Sequence, residues 1–359
     1  MEPAHEPRKN GRREAIGRLR STMEPAKVTL SDRLARINGR YIGTGRDDEL
    51  DEHIDYLITN AASALDGEPE KRRALFVIGN SGSGKSTAIQ HAIAARPEFA
   101  PYRDSDNQWV RPMISFDAPG SLTLKVLATR LLKEIGYPVR AKLGEGEAWD
   151  LLQEQLAFRK VLFLHIDEMQ HAVTSNNNAT IEHLSNTVKS LLQIPDWPLH
   201  IIMSGVPALA AFRVNDLQMT NRSTLMEFEK MTAAEAEMLR KIITHIVEVD
   251  AELIASQELS SDQFMGRLLR ATDGAFGTSI QITRAAVSQV LRKSSKTPRS
   301  AKKEVTIGHF ADIYAAYTAC PRDQNMFKAG NWEQIDPKNA LARMQEAFKK
   351  SGKSKKKKP

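Results

Sequence analysis

Cysteine is almost missing from this chain: Cys320 stands alone among 359 residues. A single thiol excludes an internal disulfide and any zinc cluster built on several cysteines. It also points to a reducing compartment, so a cytoplasmic location is expected. No apolar run approaches the ~20 residues that a membrane-spanning helix needs, so no membrane partner is expected. Met1 to Asn10 is polar and lacks the apolar stretch of a secretory signal. No internal repeat is found. What is present is ordinary globular material. Hydrophobic residues make up 41% and charged residues 26%, which implies a buried core and excludes wholesale disorder. The length exceeds one minimal domain.

The formal net charge of +7 is unevenly spread. Residues 1–40 carry +5, residues 292–303 carry +6 and residues 349–359 carry +7, which leaves −11 on everything else. The folded body is therefore acidic on balance. Contact with nucleic acid must come from the basic edges or from a local strip, not from a globally positive body.

The arm at 1–30 mixes Pro, Gly, Arg and Glu with weak periodicity and reads as mobile, with at most a short helix from Arg12 to Arg20. Leu50, Ile54, Leu57 and Ile58 have helical spacing across 47–60. Five strand-like runs follow: Ala74–Ile78, Pro112–Phe116, Val161–Ile166, Leu199–Met203 and Thr224–Phe228. Helical stretches separate the first four, which predicts a parallel sheet covered by helices on both faces. Helices alone come next. Thr232 and Glu235 form a capping box, Ser260 to Gln263 opens a second helix, and a third runs from beyond Gly277 to about Arg292. Residues 292–303 read as a basic linker, Val305 to Thr318 as one more helix, and the end as a lysine tail.

Gly79, Asn80, Ser81, Gly82, Ser83, Gly84, Lys85 and Ser86, with Thr87 behind them, make a complete Walker A motif between a strand and a helix. Its glycines allow the loop to wrap a triphosphate with amide N–H groups turned inward, and the helix that follows adds its positive end. Lys85 reaches the β- and γ-phosphates and Ser86 ligates Mg²⁺. Val161–Ile166 runs into Asp167 and Glu168, a Walker B element. Asp167 is expected to hold Mg²⁺ through water, and Glu168 to orient and polarise the attacking water. A kinase that passes phosphate to a small molecule has no need of that second carboxylate, so ATP hydrolysis is the expected reaction. His165, inside the strand, reads as a packed core histidine.

These motifs, the polar Ser204 ending the next strand, and the α/β-then-helical order resemble the AAA+ superfamily over residues 38–295. The resemblance implies a P-loop core with a parallel five-stranded αβα sheet and a small helical lid. It implies ATP held between neighbouring subunits, with an arginine supplied in trans to the charge developing on the phosphoryl oxygens. Arg222 occupies that place, and Arg213 is the alternative. Ser204 takes the first sensor position, against the plainer reading of a strand-end serine. Arg284 takes the second, although the common Gly-x-x-Arg spacing is not kept. Tyr41 and Ile42, in Tyr41 to Arg46, resemble the segment that packs on adenine, against a plain helix-entry turn.

Within that superfamily, Arg40 to Arg46, the Ile166-to-His171 block and Ser204 to Pro207 are similar to the transposition regulators TniB and TnsC. IstB-like helpers and replication initiators share most of these blocks. The TniB and TnsC resemblance implies an ATP-dependent homo-oligomer, ring or filament, on double-stranded DNA. It implies as partners a DDE-type transposase and a target-selection protein. Ser121, Thr123, Lys125 and Arg130 then face the DNA backbone, the alternative being a helix N-cap with solvated basic residues. The expected domains are a basic arm at 1–38, a nucleotide-binding α/β domain at 39–230, a lid at 231–295 and a basic linker, helix and tail at 296–359. A switch ATPase acting on a protein, and a replication initiator or helicase loader, remain as other functions. The absence of a recognisable winged-helix segment after the lid argues against the initiator.

Overall fold

A computed structural model describes residues 6–120, 123–139, 143–169, 178–214, 216–294 and 303–337. In chain order the elements are α1 Glu6–Ser21, α2 Pro25–Gly39, α3 Gly45–Ser63, β1 Ala74–Gly79, α4 Lys85–Ala95, β2 Tyr102–Arg103, β3 Trp109–Val110, β4 Met113–Asp117, α5 Leu124–Glu134, α6 Glu145–Phe158, β5 Phe163–Asp167 and α7 Asn178–Leu191. There follow β6 His200–Gly205, α8 Ala211–Val214, α9 Leu217–Asn221, β7 Ser223–Phe228, α10 Ala236–Thr244, β8 Ile254–Ala255, α11 Asp262–Ala271, α12 Phe276–Ser294, β9 Glu304–Val305 and α13 Ile307–Thr318. Among the described residues no helix is long and apolar enough to cross a membrane. The chain divides into two units, one of Met1–Ile16, Gly43–Ser81 and Lys85–Glu229, the other of Gly17–Ile42, Gly82–Gly84 and Lys230–Pro359.

The first unit is built on a five-stranded sheet in the order β4-β5-β6-β1-β7, with every pair parallel. All five expected strands are present within two residues of their predicted ends. Strand alternation divides the core in two. Leu75 and Val77 of β1 join Leu50, Ile54 and Leu57 of α3 and Ile89 of α4 on one face. Phe76 and Ile78 join Leu127 and Leu131 of α5, Leu152 and Leu156 of α6, and Leu184 and Val188 of α7 on the other. Burial on both faces is why the β1 sequence is continuously apolar. Each such Leu or Ile contributes about 1.5–3 kcal/mol when fully buried. α3 starts where the Asp47 carboxylate accepts from the Thr44 N–H. The antiparallel β2–β3 hairpin has two residues per strand, too few for a readable period.

The second unit is helical. The expected mobile arm at 1–38 is instead α1 and α2 over its described part. Leu30, Leu34 and Ile37 fall at i, i+4 and i+7 on α2, and Leu34 and Ile37 are buried with Leu239, Ile243, Val287 and Leu291. Arg20 holds Asp32 through two hydrogen bonds, 2.7 and 2.9 Å. The Thr232 box forms as expected, the Glu235 carboxylate accepting from the Thr232 N–H at 2.9 Å. The second cap lies one residue later than expected, at Ser261, whose hydroxyl accepts from Phe264 N–H. α10 runs on into a π-helical turn at His245–Asp250. The helical core does not stop at 295: Phe310, Ala311 and Tyr314 of α13 are buried in it, as are Met326 and Phe327. The buried Arg267 donates to the Met326 and Ala329 carbonyls, fastening this extension onto α11. The expected linker at 296–302 and the tail at 338–359 lie outside the described residues.

Candidate nucleotide site

The phosphate loop has the backbone its glycines were expected to supply. Gly82 and Gly84 have φ of +77° and +100°, a region that L side chains enter only with strain. In the second unit, Thr278 N–H donates to the Gly82 carbonyl at 3.0 Å. A Cβ on Gly277 would stand 2.7 Å from that same oxygen, so only glycine fits there. Lys85, in the first turn of α4, is 4% exposed, and its ammonium has one long hydrogen bond, 3.5 Å to the Asn80 carbonyl. Burial lowers its pKa, with Asp167 and Glu168 pulling the other way. Among the described residues the Ser83 hydroxyl is buried without a partner. A buried cation with weak satisfaction suits an anion with many acceptor oxygens, which is what a triphosphate offers.

Strand alternation gathers the acidic half. Ser115 and Asp117 of β4 lie in register with His165 and Asp167 of β5. Ser204 of β6 lies two residues beyond Ile202, which pairs with His165. Asp167 Oδ1 accepts from Ser204 at 2.6 Å and from the Glu168 N–H at 2.8 Å, and the Ser86 hydroxyl also donates to Asp167. Burial works to raise the Asp167 pKa, but these hydrogen bonds outweigh it and hold the carboxyl below its ordinary value. Ser86 of Walker A and Asp167 of Walker B, the two expected Mg²⁺ ligands, are thus in direct contact. Glu168 has φ +58°, a left-handed turn at the strand's end that a glutamate adopts only at some cost. Asp117 was not anticipated. Burial raises its pKa, and the charges of Asp167 and Glu168 raise it further. The available signal was an aspartate directly after the strand run ending at Phe116. His165 is fully buried as expected, and burial pushes its pKa down to about 4.

A family model described as the bacterial TniB protein matches residues 39–233, which include both Walker motifs, Ser204 and Arg222. The chain belongs to the TniB family. Among curated proteins none matches this TniB-family chain. It is similar in fold to the ORC1 protein of Aeropyrum pernix solved in complex with DNA, with TM-score 0.50 and 16% identity over 78% of this chain and 65% of that one. It is similar to the ORC2 protein of the same organism solved as ADPNP-ADP complexes, with TM-score 0.50 and 13% identity over 81% and 75%. The chain thus spans just under two thirds of the ORC1 protein's length. At such identities the likeness shows the fold and nothing finer.

The remaining candidates of this TniB-family chain are placed as follows. Arg222 is half-buried just before β7, with both terminal nitrogens 2.8 Å from the Gln193 side-chain oxygen once that amide is assigned to satisfy both groups. Arg213 uses its Nε on Ser223 Oγ at 3.2 Å. The Arg284 guanidinium donates to the Asn38 and Arg40 carbonyls and so caps the C-terminal end of α2. Ile42 packs on the helical core of the second unit, and Tyr41 is half-buried beside it in sequence. Thr123 caps α5, accepting from Val126 N–H at 3.2 Å, while Lys125 and Arg130 stand exposed on that helix. Ser121, Gln170 and His171 lie outside the described residues.

Proposed function

We propose that this protein is an ATP-hydrolysing, oligomerising regulator of DNA transposition. It binds double-stranded DNA without sequence preference and brings a DDE-type transposase, with or without a target-selection protein, to the target. The observation that carries the ATPase part is the contact of Ser86, Ser204 and Asp167 beside a buried Lys85. Membership of the TniB family supports the transposition part. The ORC1 protein's complex with DNA makes duplex DNA the partner to test first, by analogy of fold alone.

In this reading Lys85 and the loop 79–87 bind the triphosphate. Ser86 and Asp167 hold Mg²⁺, which when bound neutralises charge on the phosphate oxygens. Glu168 accepts a proton from the attacking water, and its fixed turn sets the direction of that carboxylate. Arg222 of one subunit, or Arg213, stabilises the charge developing in its neighbour's site. ATP binding assembles subunits on DNA and hydrolysis releases them. The test is sedimentation of Glu168→Gln with ATP and duplex DNA. The variant stays assembled where the wild type disassembles, and equal disassembly of the two refutes the reading.

A second reading, a switch ATPase acting on a protein partner, is favoured by one observation. Outside the three basic segments the chain carries −11. Random duplex decides between them: affinity that falls steeply with salt supports the first, and no binding at low salt with ATP supports the second.

A further inference from the structure

Three hydrogen bonds join four side chains across three adjacent strands. Ser115 Oγ lies 2.8 Å from His165 Nδ1, His165 Nε2 lies 2.9 Å from Ser204 Oγ, and Ser204 Oγ lies 2.6 Å from Asp167 Oδ1. The direction of the inner two bonds follows from counting protons. An ionised carboxylate only accepts, so the single Ser204 proton goes to Asp167. The Ser204 oxygen is left to accept, so His165 Nε2 carries a proton and donates to it. Both donors point the same way, from His165 through Ser204 to the buried Asp167, and Ser115 on the edge strand closes the other side of the ring.

A histidine that served only as core packing would not need both ring nitrogens bonded in line with a carboxylate. Its neighbours on the same strand, Leu164 and Ile166, fill the opposite face with purely apolar contacts. Alternation alone places His165 on the same face as Asp167, where a ring nitrogen reaches diagonally to the Ser204 hydroxyl.

We propose that His165 is a positioning residue for the site: donating through Nε2–H, it fixes Ser204 as a donor to Asp167, and so sets the carboxylate that would hold the metal. This rests on reading Asp167 as the Mg²⁺-holding group of an ATP site. One consequence is that the Ser204 proton is already committed to Asp167. Ser204 donates to a phosphate oxygen only if it turns away from Asp167, and His165 holds it against that turn.

Two measurements test this. In ¹⁵N-labelled protein, long-range correlation of the imidazole nitrogens reports the tautomer, and the His165 signals are the ones lost in His165→Gln. A protonated Nε2 is expected, and a ring that carries its proton on Nδ1 alone overturns the proposal. The second measurement is Mn²⁺ affinity in the presence of a non-hydrolysable ATP analogue. Partners standing behind a metal ligand typically contribute 10–100-fold to metal affinity, so His165→Met should weaken Mn²⁺ binding by about 10-fold or more. His165→Gln places an amide N–H near the position of Nε2 and should recover to within about threefold of wild type, a small fraction of that loss. Wild-type affinity in His165→Met overturns the proposal. Equal loss in both variants also overturns it, because packing and not the donor would then be at work. A wild-type protein that binds no ATP refutes the nucleotide reading instead, and the tautomer still reports on His165.

Discussion

Arg222 and Gln193 face each other: with the Gln193 amide assigned so that its oxygen meets the guanidinium, both terminal nitrogens lie 2.8 Å from that oxygen. Arg73 stands close enough for its charge to be felt, and it donates to the Leu192 carbonyl next door. Two guanidinium groups therefore converge just past the C-terminal end of α7, where carbonyl ends favour positive charge. An arginine that completes a neighbour's site must give up contacts inside its own subunit or reach out beyond them. Among the described residues the Arg222 guanidinium meets the reassigned Gln193 oxygen through two nitrogens and Arg213 meets Ser223 through one. Mixing separates the two candidates. Arg222→Ala mixed with Lys85→Ala should hydrolyse ATP faster than either alone, because each supplies what the other lacks. If only the Arg213→Ala and Lys85→Ala mixture recovers, the roles of the two arginines are exchanged.

The Walker residues should divide binding from chemistry. Lys85→Ala removes the buried ammonium and should abolish retention of ATP. Glu168→Gln keeps the site's shape and removes the base, so retention should persist while phosphate release falls by about 100-fold or more. Filter binding and phosphate release on the same preparations check both statements.

Arg284 has a structural position that predicts a stability effect. Its guanidinium satisfies the Asn38 and Arg40 carbonyls. Arg284→Ala should destabilise the protein by about 1.5–3 kcal/mol, the range for hydrogen bonds from a charged group. Urea unfolding measures this. A stable variant whose ATP affinity collapses would instead give Arg284 a direct role at the nucleotide.

Asp216 gives the clearest dependence on pH. It caps α9, accepts from Ser185 at 2.9 Å and pairs with Lys189 at 2.7 Å. Burial works to raise its pKa, but Lys189, Ser185 and the cap amides outweigh that and pull it down to about 2. The folded value lies below the unfolded one, so the contribution to stability is present above the unfolded pKa of about 4 and is lost as pH falls toward 2. Asp216→Asn keeps the cap oxygen and removes the charge. It should be less stable than wild type at pH 7, and the gap should close below pH 3 in urea titrations at the two pH values.

DNA contact should show in salt dependence. Lys125 and Arg130 are exposed on α5. If both meet phosphates, replacing either by Ala should lower the slope of log affinity against log salt by about one. An unchanged slope in both variants removes α5 from the DNA face and leaves the basic termini to carry the contact.

Much of this protein was readable from its residues. The Walker motifs announce themselves because phosphate binding restricts a short, contiguous stretch to glycine, lysine and hydroxyl. The five strands are readable because both faces of a parallel sheet must be apolar, which leaves continuous runs such as Ala74–Ile78. α2 escaped notice because Leu30, Leu34 and Ile37 are diluted by charged neighbours, and only the second unit's core explains their spacing. The extent of the helical core was hidden for the same reason, since Phe310 and Tyr314 look like one isolated helix until their shared core is seen.

The sequence by itself determined the chemistry on offer: a phosphate loop, a pair of carboxylates and a strand-end serine, each encoded by neighbours along the chain. Only the tertiary structure decided which of these meet. Register across β4, β5 and β6 set Asp117 beside Asp167, and Ser115 and Ser204 on either side of His165, though 39 or more residues separate β4 from β5 and His165 from Ser204. Hydrogen bonds between strands fix such neighbours through space, and no pattern local to the chain can carry that information.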